Sequence, residues 1–343
     1  MKKRIFSIFT AMLILVSVFT FAEPLSVQAA GSGTKMPSYN EQAEDGKGDF
    51  SDEPIILYNI NDWVQFTESA DNVPASYVAL GADIGSEEEP VTVSMPFYMG
   101  ELFDGRGHTI TVDIQGNDFT GLFNECAETV LANTTVKGSV NGDFITGALV
   151  GEAYDITVIN CVSEADVSSE CDAGGFCGET DNTKFINCAF YGKCSESGFC
   201  NNMGKCDFTN CISTDGDLDN FFCRDIDQAT FTDCCLWDGN NSYFPGPYGM
   251  HETEESEASS VILDKFNSAC DDDSLNCGIS LVSWKDADGK IILNNDPVTT
   301  ASVIFNGNIA IIFIAGIIII AAAAITIIVV KCKKKKTTSA DQA

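Results

Sequence analysis

Apolar and polar positions alternate in short runs through the middle of the chain. TVKGSV and ITVINCV are typical, and Gly, Asn and Asp break them up. Such period-two runs between turn residues predict short strands rather than helices. The runs also recur at fixed intervals. Leu131, Val158, Phe185, Phe208 and Phe231 follow one another at spacings of 27, 27, 23 and 23. Two residues after each stands Asn133, Asn160, Asn187, Asn210 or Asp233, followed by Thr134, Cys161, Cys188, Cys211 or Cys234. A further column with the same intervals is Phe123, Val150, Cys177, Cys200 and Cys223, and a shorter one is Val140, Val167 and Cys194. Columns that drift together while one loop changes length describe a solenoid, in which each repeat is one turn stacked on the last.

Leucine-rich repeats are excluded because L-x-x-L-x-L is missing, and helical repeats because their periods are longer. Gly, Thr, Asn, Phe, Val and Cys favour strands and turns. The expected fold class is therefore all-β: a right-handed parallel β-helix solenoid with small mixed caps. Asn tolerates left-handed dihedrals, so the Asn column predicts a bend between two strands. Stacked Asn amides then hydrogen-bond from coil to coil. Phe185, Phe208 and Phe231 are expected in one interior file. The stacked Cys161, Cys188, Cys211 and Cys234, and Cys177, Cys200 and Cys223, read as inward thiols. Vertical disulfides are the rival, because coil spacing falls within disulfide reach. Cys270 and Cys277 read as an ordinary disulfide pair.

FDGRGHTI at 103–110, followed by GLFNE, GALVGE and GGFCGE, resembles the bacterial surface proteins with GLUG-motif repeats over roughly residues 55–235. The later copies depart from the pattern, with Phe-Cys where Leu-Val stands earlier. The resemblance implies a β-helix on a cell surface, and it implies location and fold more than activity.

The two ends set the cell address. Lys2, Lys3 and Arg4, an apolar stretch and Val27-Gln28-Ala29 read as a secretory signal. Ile309 to Val330 is 22 residues without a charge, about 33 Å as a helix, which spans a hydrocarbon core. Five Lys follow it between 331 and 336 and hold the tail in the cytoplasm. The organisation read from this is a signal peptide at 1–29, a linker at 30–53, and an N-terminal cap at 54–100 with a short helix N-capped by Asn61 or Asp62. The β-helix repeats span 101–240, and an acidic loop and C-terminal cap span 241–302. A transmembrane helix at 303–330 and a basic cytoplasmic tail at 331–343 complete it. The localisation is the bacterial cell membrane, single-pass, with the ectodomain outside.

Charge then narrows the partners. The chain carries 19 Lys and Arg against 50 Asp and Glu; residues 30–302 carry 11 against 48. Such a surface attracts cations and excludes nucleic acid as the default partner. No cofactor is expected, with calcium the one candidate, at Asp215, Asp217 and Asp219, although the loop lacks the Gly and Glu of an EF-hand. Arg106 and His108 fall in one turn and read as structural. Trp237, Tyr243, Phe244 and Tyr248 are candidate ligand-stacking aromatics. No residue is marked as catalytic and the chain is read as a non-enzyme. The function expected is adhesion or binding to an extracellular glycan or protein. The alternatives are a carbohydrate-active enzyme, which needs a carboxylate pair in a groove with exposed aromatics, and a structural envelope component. The oligomeric state is left open.

Overall fold

The repeats wind into a right-handed parallel β-solenoid of about six turns. The computed structural model describes residues 36–295, apart from 72–73, 203, 215–221, 225–227, 238–241, 247–248, 253–258, 271–277 and 288–289. The signal peptide and the 303–330 segment lie outside these residues. Among the described residues no helix is long and apolar enough to cross a membrane.

Four sheets run along the solenoid. Sheet A holds eight parallel strands, from Ile55–Leu57 through Val130–Ala132, Thr157–Ile159, Thr183–Ile186 and Cys206–Thr209 to Ala229–Thr232. Sheet B begins with the eight-residue strands Thr109–Gly116, Thr135–Gly142 and Val162–Ser169. It continues through Ala189–Phe190 and Ile212–Ser213 to Cys235–Trp237. There it turns antiparallel, with Ser242–Gly246 and Gly249–Glu252 as a hairpin over the last coil. Sheet C holds Met95–Tyr98, Phe123–Ala127, Val150–Tyr154, Cys177–Asp181 and Cys200–Asn202; sheet D holds Phe119–Thr120, Ile145–Gly147 and Asp172–Gly174.

Each coil passes from A to B, to D where D is present, to C, and back to A. Two corners need left-handed backbone. Between A and B the residues are Asn133, Asn160, Asn187, Asn210 and Asp233, with φ between 51° and 56°. Between C and A they are Glu128, Asp155 and Asn182, with φ between 50° and 54°. This conformation costs an ordinary L-residue about 1–2 kcal/mol, and Asn and Asp accept it through local hydrogen bonding.

The change from 27 to 23 residues has one location. Asp166 and Val167 pair with Lys193 and Cys194, an offset of 27, whereas Gly174 bridges Ser197, an offset of 23. The four residues are lost between Cys194 and Ser197, at the corner that leads into sheet D. Among the described residues sheet D accordingly has three strands, carried into the next coil by the single Gly174–Ser197 bridge.

At the N-terminal end the chain covers the open coil. Helix α1 (Tyr39–Glu44) starts at Ser38, whose side chain and Glu41 form a capping box, and it buries Tyr39 and Gln42. Part of the segment read as a linker is therefore folded. Helix α2 (Ile60–Glu68) is capped by Asn59, whose side chain accepts from the Asp62 N–H, not by Asn61 or Asp62. Asp62 instead accepts from the Tyr58 N–H at 2.9 Å, which holds the chain entering the helix. Trp63 and Phe66 are fully buried under α2, and Trp63 Nε1 donates to Val93 O at 2.9 Å.

Candidate functional site

The A/B corner is built from the Asn column. Asn133 Nδ2 donates to Asp104 Oδ1 at 2.8 Å, and Asn160 to Asn133 Oδ1 at 2.8 Å. Asn187 donates to Asn160 Oδ1, and Asn210 to Asn187 Oδ1, each at 2.7 Å. The ladder has a direction: every amide donates toward the N-terminal end. Asp104, which can only accept when ionised, closes that end.

The second N–H of each covered amide goes to the C-terminal segment. Asn160 donates to Ser280 O at 2.9 Å, Asn187 to Val282 O at 2.8 Å, and Asn210 to Phe266 O at 3.1 Å. In return, Val282 N donates to Asn160 Oδ1 at 3.1 Å and Trp284 Nε1 to Asn187 Oδ1 at 2.6 Å. Ile279 and Leu281 pack on Ala132, Ile159 and Ile186 of sheet A. On the other side helix α3 (Ser259–Cys270) and the hairpin Trp284–Ala287/Lys290–Leu293 set Ile262, Phe266, Trp284, Ile291 and Leu293 on Val162, Ala189 and Ile212 of sheet B. The segment expected as an end cap thus lies along the flank, as a strap seated on the Asn ladder. It makes Asn160, Asn187 and Asn210 fully buried.

The column after the corner bonds within its own coil, and its Cys161, Cys188 and Cys211 also reach carbonyls of the coil before. Thr134 Oγ1 donates to Ala132 O at 2.8 Å; Cys161 reaches Ile159 O at 3.4 Å, and Cys188 and Cys211 reach Ile186 O and Thr209 O at 3.3 Å. Cys234 makes the same contact with Thr232 O at 3.3 Å. Burial pushes the Cys161 thiol up to about 12 and raises Cys188, Cys211 and Cys234 as well. These thiols are poor nucleophiles. Cys177 and Cys200 sit in register in the second column, Cys200 bridges Cys223, and burial raises Cys177 and Cys200 too.

Among the described residues a second face is left open on sheet C. Phe97, Glu125, Glu152 and Glu179 occupy one outward file, in strict register from strand to strand. Adjacent rungs lie about 4.8 Å apart, so three carboxylates are held at close range. Burial, then the charge of Glu152, raises Glu125; burial, then Asp172 and Glu152, raises Glu179, with Arg224 opposing. The Tyr154 hydroxyl donates to Glu152, a bond that pushes the phenol up to about 12. Phe97 and Tyr154 are 40% and 44% exposed, so aromatic surface flanks the carboxylates. Asp172 accepts from Asn201 Nδ2 at 2.6 Å and from Arg224 NH1 at 2.8 Å, which sets a cation beside Glu179. The three Glu close the motifs GLFNE, GALVGE and GGFCGE, so the sequence carried the signal in plain view.

The other predicted residues are placed as follows. Arg106 takes φ 50° and donates its N–H to Asp104 Oδ1 at 2.9 Å. His108 Nδ1 lies 3.0 Å from Asp83 Oδ1. Asp83 also borders a polar cleft of about 430 Å³ between Tyr58, Asn59, Asn61, Ser86 and Glu89. Asp215, Asp217, Asp219, Tyr248 and Cys277 lie outside the described residues, so neither the calcium loop nor the Cys270–Cys277 pairing is seen. Cys270 Sγ reaches Val282 O at 3.3 Å. Trp237, Tyr243 and Phe244 lie on paired strands, with Leu236 opposite Tyr243 and Phe244 opposite His251. Among the described residues no cluster of three or more His, Cys, Asp or Glu is arranged to hold a metal ion.

Together these features define a parallel β-solenoid with one strapped flank and one open acidic flank. No protein-family model matches the sequence, and no curated protein matches it. Among solved structures, the chain is similar to a Bacteroides ovatus protein described as a candidate immunoglobulin A1 protease. The two share 15% identity with a TM-score of 0.43, over 73% of this chain and 95% of that one.

Proposed function

We propose that the chain is a membrane-anchored bacterial surface protein whose solenoid binds an extended extracellular partner through the open face of sheet C. The observation that carries this reading is the file Phe97, Glu125, Glu152 and Glu179 with Tyr154 beside it. Like charges stacked at rung spacing repel one another and do nothing for packing, and exposed rings flank them. Rings stack on sugar faces while carboxylates accept from hydroxyl groups, so a glycan fits this face best and a basic protein segment comes next. The signal peptide, the 303–330 segment and the basic tail supply the anchor in this reading. The resemblance to GLUG-motif surface proteins agrees with that address. The test is a glycan and protein panel probed with the full-length protein in detergent, with and without Ca²⁺. The expected result is saturable binding that is lost in a Glu125→Ala, Glu152→Ala, Glu179→Ala triple variant. Binding that survives the triple variant moves the site elsewhere on the chain.

A second reading, a carbohydrate-active enzyme, is favoured by one specific observation. Burial and neighbouring charge raise Glu125 and Glu179 on the same face as Glu152. A general acid beside an ionised partner is what glycoside hydrolysis uses, and one or two rungs, about 5 or 10 Å, bracket the separations it needs. Turnover of a polysaccharide that Glu152→Gln abolishes while binding persists would establish the enzyme over the adhesin.

A further inference from the structure

We propose that Cys200 and Cys206 are joined in the mature protein by a disulfide that closes the corner between sheets C and A. Their sulfurs lie 4.0 Å apart, six residues apart in sequence, and both residues are fully buried. Cys200 opens the strand Cys200–Asn202 of sheet C and Cys206 opens Cys206–Thr209 of sheet A, so the two side chains meet inside one coil. The neighbouring coils carry other pairs at these two positions. Cys177 and Thr183 stand above, in register with Cys200 and Cys206; Cys223 and Ala229 stand below. This coil therefore sets thiol against thiol across that corner. Along the column after the A/B corner Cys188, Cys211 and Cys234 also meet, but there three sulfurs share the contacts and cannot all pair. Bond formation closes the sulfurs from 4.0 Å to roughly 2.05 Å.

The chemistry at the pair is asymmetric. The hydrogen bond with Cys200 and the contact with Thr180 Oγ1 at 3.1 Å hold Cys206 below the usual thiol range against the effect of burial. Burial pushes Cys200 up. In the unstacked coil either sulfur can open the exchange, and the balance is the same from each. From Cys206, the thiolate displaces one thiolate from a low-molecular-weight disulfide such as oxidised glutathione, leaving a mixed disulfide at Cys206. Cys200 gives its proton to the released thiolate and then attacks the Cys206 sulfur, displacing the second. Two protein thiols and one small disulfide become one protein disulfide and two small thiols, and the two electrons end on the small molecule. Neither sulfur is reachable in the finished solenoid, so the exchange belongs to folding, before the next coil stacks. In the cell it rests on the exported location proposed above.

The test maps disulfides in the full-length chain. Protein recovered after export is denatured, its free thiols are alkylated before any reduction, and its peptides are identified by mass. The same chain, made in a reducing cytoplasm, is refolded in a glutathione redox buffer and mapped in the same way. The expected result is a linked Cys200–Cys206 peptide, with Cys161, Cys177, Cys188 and Cys211 alkylated. Cys200→Ser is expected to leave Cys206 alkylated. A link in the refolded chain but not in the exported one supports the pair and counts against the location. Alkylation of both sulfurs in both preparations overturns the proposal, and so does a link from Cys200 to Cys177 or Cys223.

Discussion

The two halves of the solenoid fill the same interior in different ways. In the N-terminal half Trp63, Phe66, Tyr98, Phe103 and Phe123 meet at mixed angles. Trp63 lies edge-on to Phe103 and Phe123, while Phe66 stacks on Phe103. In the C-terminal half the rings form two files. Phe208 stacks on Phe185 and on Phe231 at 5.1 Å, within 8° of parallel, and Phe199 lies between Phe176 and Phe222 at 4.9 and 4.8 Å. Those distances are close to the spacing of the strands themselves. Identical residues one rung apart are related by a translation, so the Phe185, Phe208 and Phe231 rings stack in parallel. Those of Phe176, Phe199 and Phe222 keep a common spacing at tilts of 30° and 34°. Where the helix α2 plugs the end, no translation applies and the aromatics settle at mixed angles, most of them edge to face. A periodic core suits propagation of the solenoid; a mixed one suits its closure.

The largest effect is expected where periodicity prevents relaxation. Phe208→Ala removes a ring that touches Phe185, Phe199, Phe222 and Phe231. Its neighbours are fixed at rung spacing and cannot close the gap, so the loss should be about 5 kcal/mol, at the upper end for Phe→Ala changes. Phe103→Ala in the mixed cluster should lose about 3 kcal/mol, because rings at varied angles can rotate inward. Denaturant unfolding of both variants decides the matter. Equal losses would show that the two cores pack alike in energy as well as in volume.

The strap sharpens the comparison along the A/B corner. Asn187 bonds Asn160, Asn210, Val282 and Trp284, whereas Asn133 bonds Asp104 and Asn160 and lies beyond the strap contacts. Asn187→Ala leaves buried partners unmatched at a left-handed position and should cost about 3 kcal/mol. Asn133→Ala should cost about 1–2 kcal/mol. Hydrogen exchange adds a local readout, since only the Asn187 change should release the amides of 282–284. Equal release by both would mean the strap is held by Ile279, Leu281 and the sheet B contacts instead.

Particular residues show how far the sequence reached. The corner Asn and the interior Phe were legible because each repeats at the coil interval, and translation along the axis turns sequence spacing into contact. The strap was not, because its contacts join non-periodic backbone groups at Ser280 and Val282 to amides some 120 and 95 residues away. Cys206 was overlooked for the same reason: it falls in no column, and its partner is set by a corner rather than a rung. Glu125, Glu152 and Glu179 are periodic and were readable, yet they stand at the ends of motifs whose apolar residues drew the attention. Helix α1 had its own signal, the S-x-x-E box at Ser38, masked by the polar composition around it.

The ladder's direction gives a gain rather than a loss. Asn210 Oδ1 is buried and unpartnered, and the next corner residue is Asp233, at the same left-handed φ. Every rung above supplies an N–H to the oxygen before it; an ionised Asp supplies none. Asp233→Asn provides the missing donor and should raise stability by about 1 kcal/mol, read as a shift of the urea midpoint without a change of slope. No shift, or a loss, would mean that residue 233 turns away from the ladder.

The smallest effect concerns the open face, where charge rather than packing is at issue. Burial and then the charge of Glu152 lift Glu125, and burial, Asp172 and Glu152 lift Glu179, both above the 4.5 of a free side chain. The folded chain therefore holds more protons at these two sites than the unfolded chain as pH passes between 4.5 and the folded values. The burial of their charge, and then their repulsion, weighs on the fold fully above that window, weakens as pH falls through it, and is gone below it. Glu152→Gln takes away one charge without changing the file's shape. It should lower both neighbours toward 4.5 while leaving the part due to burial, followed by carbon-detected NMR titration of the two side chains. Glu179 should keep the part of its rise due to Asp172, which Glu125 lacks. If neither moves, the three carboxylates do not sense one another, and a partner that bridges adjacent rungs loses its electrostatic basis.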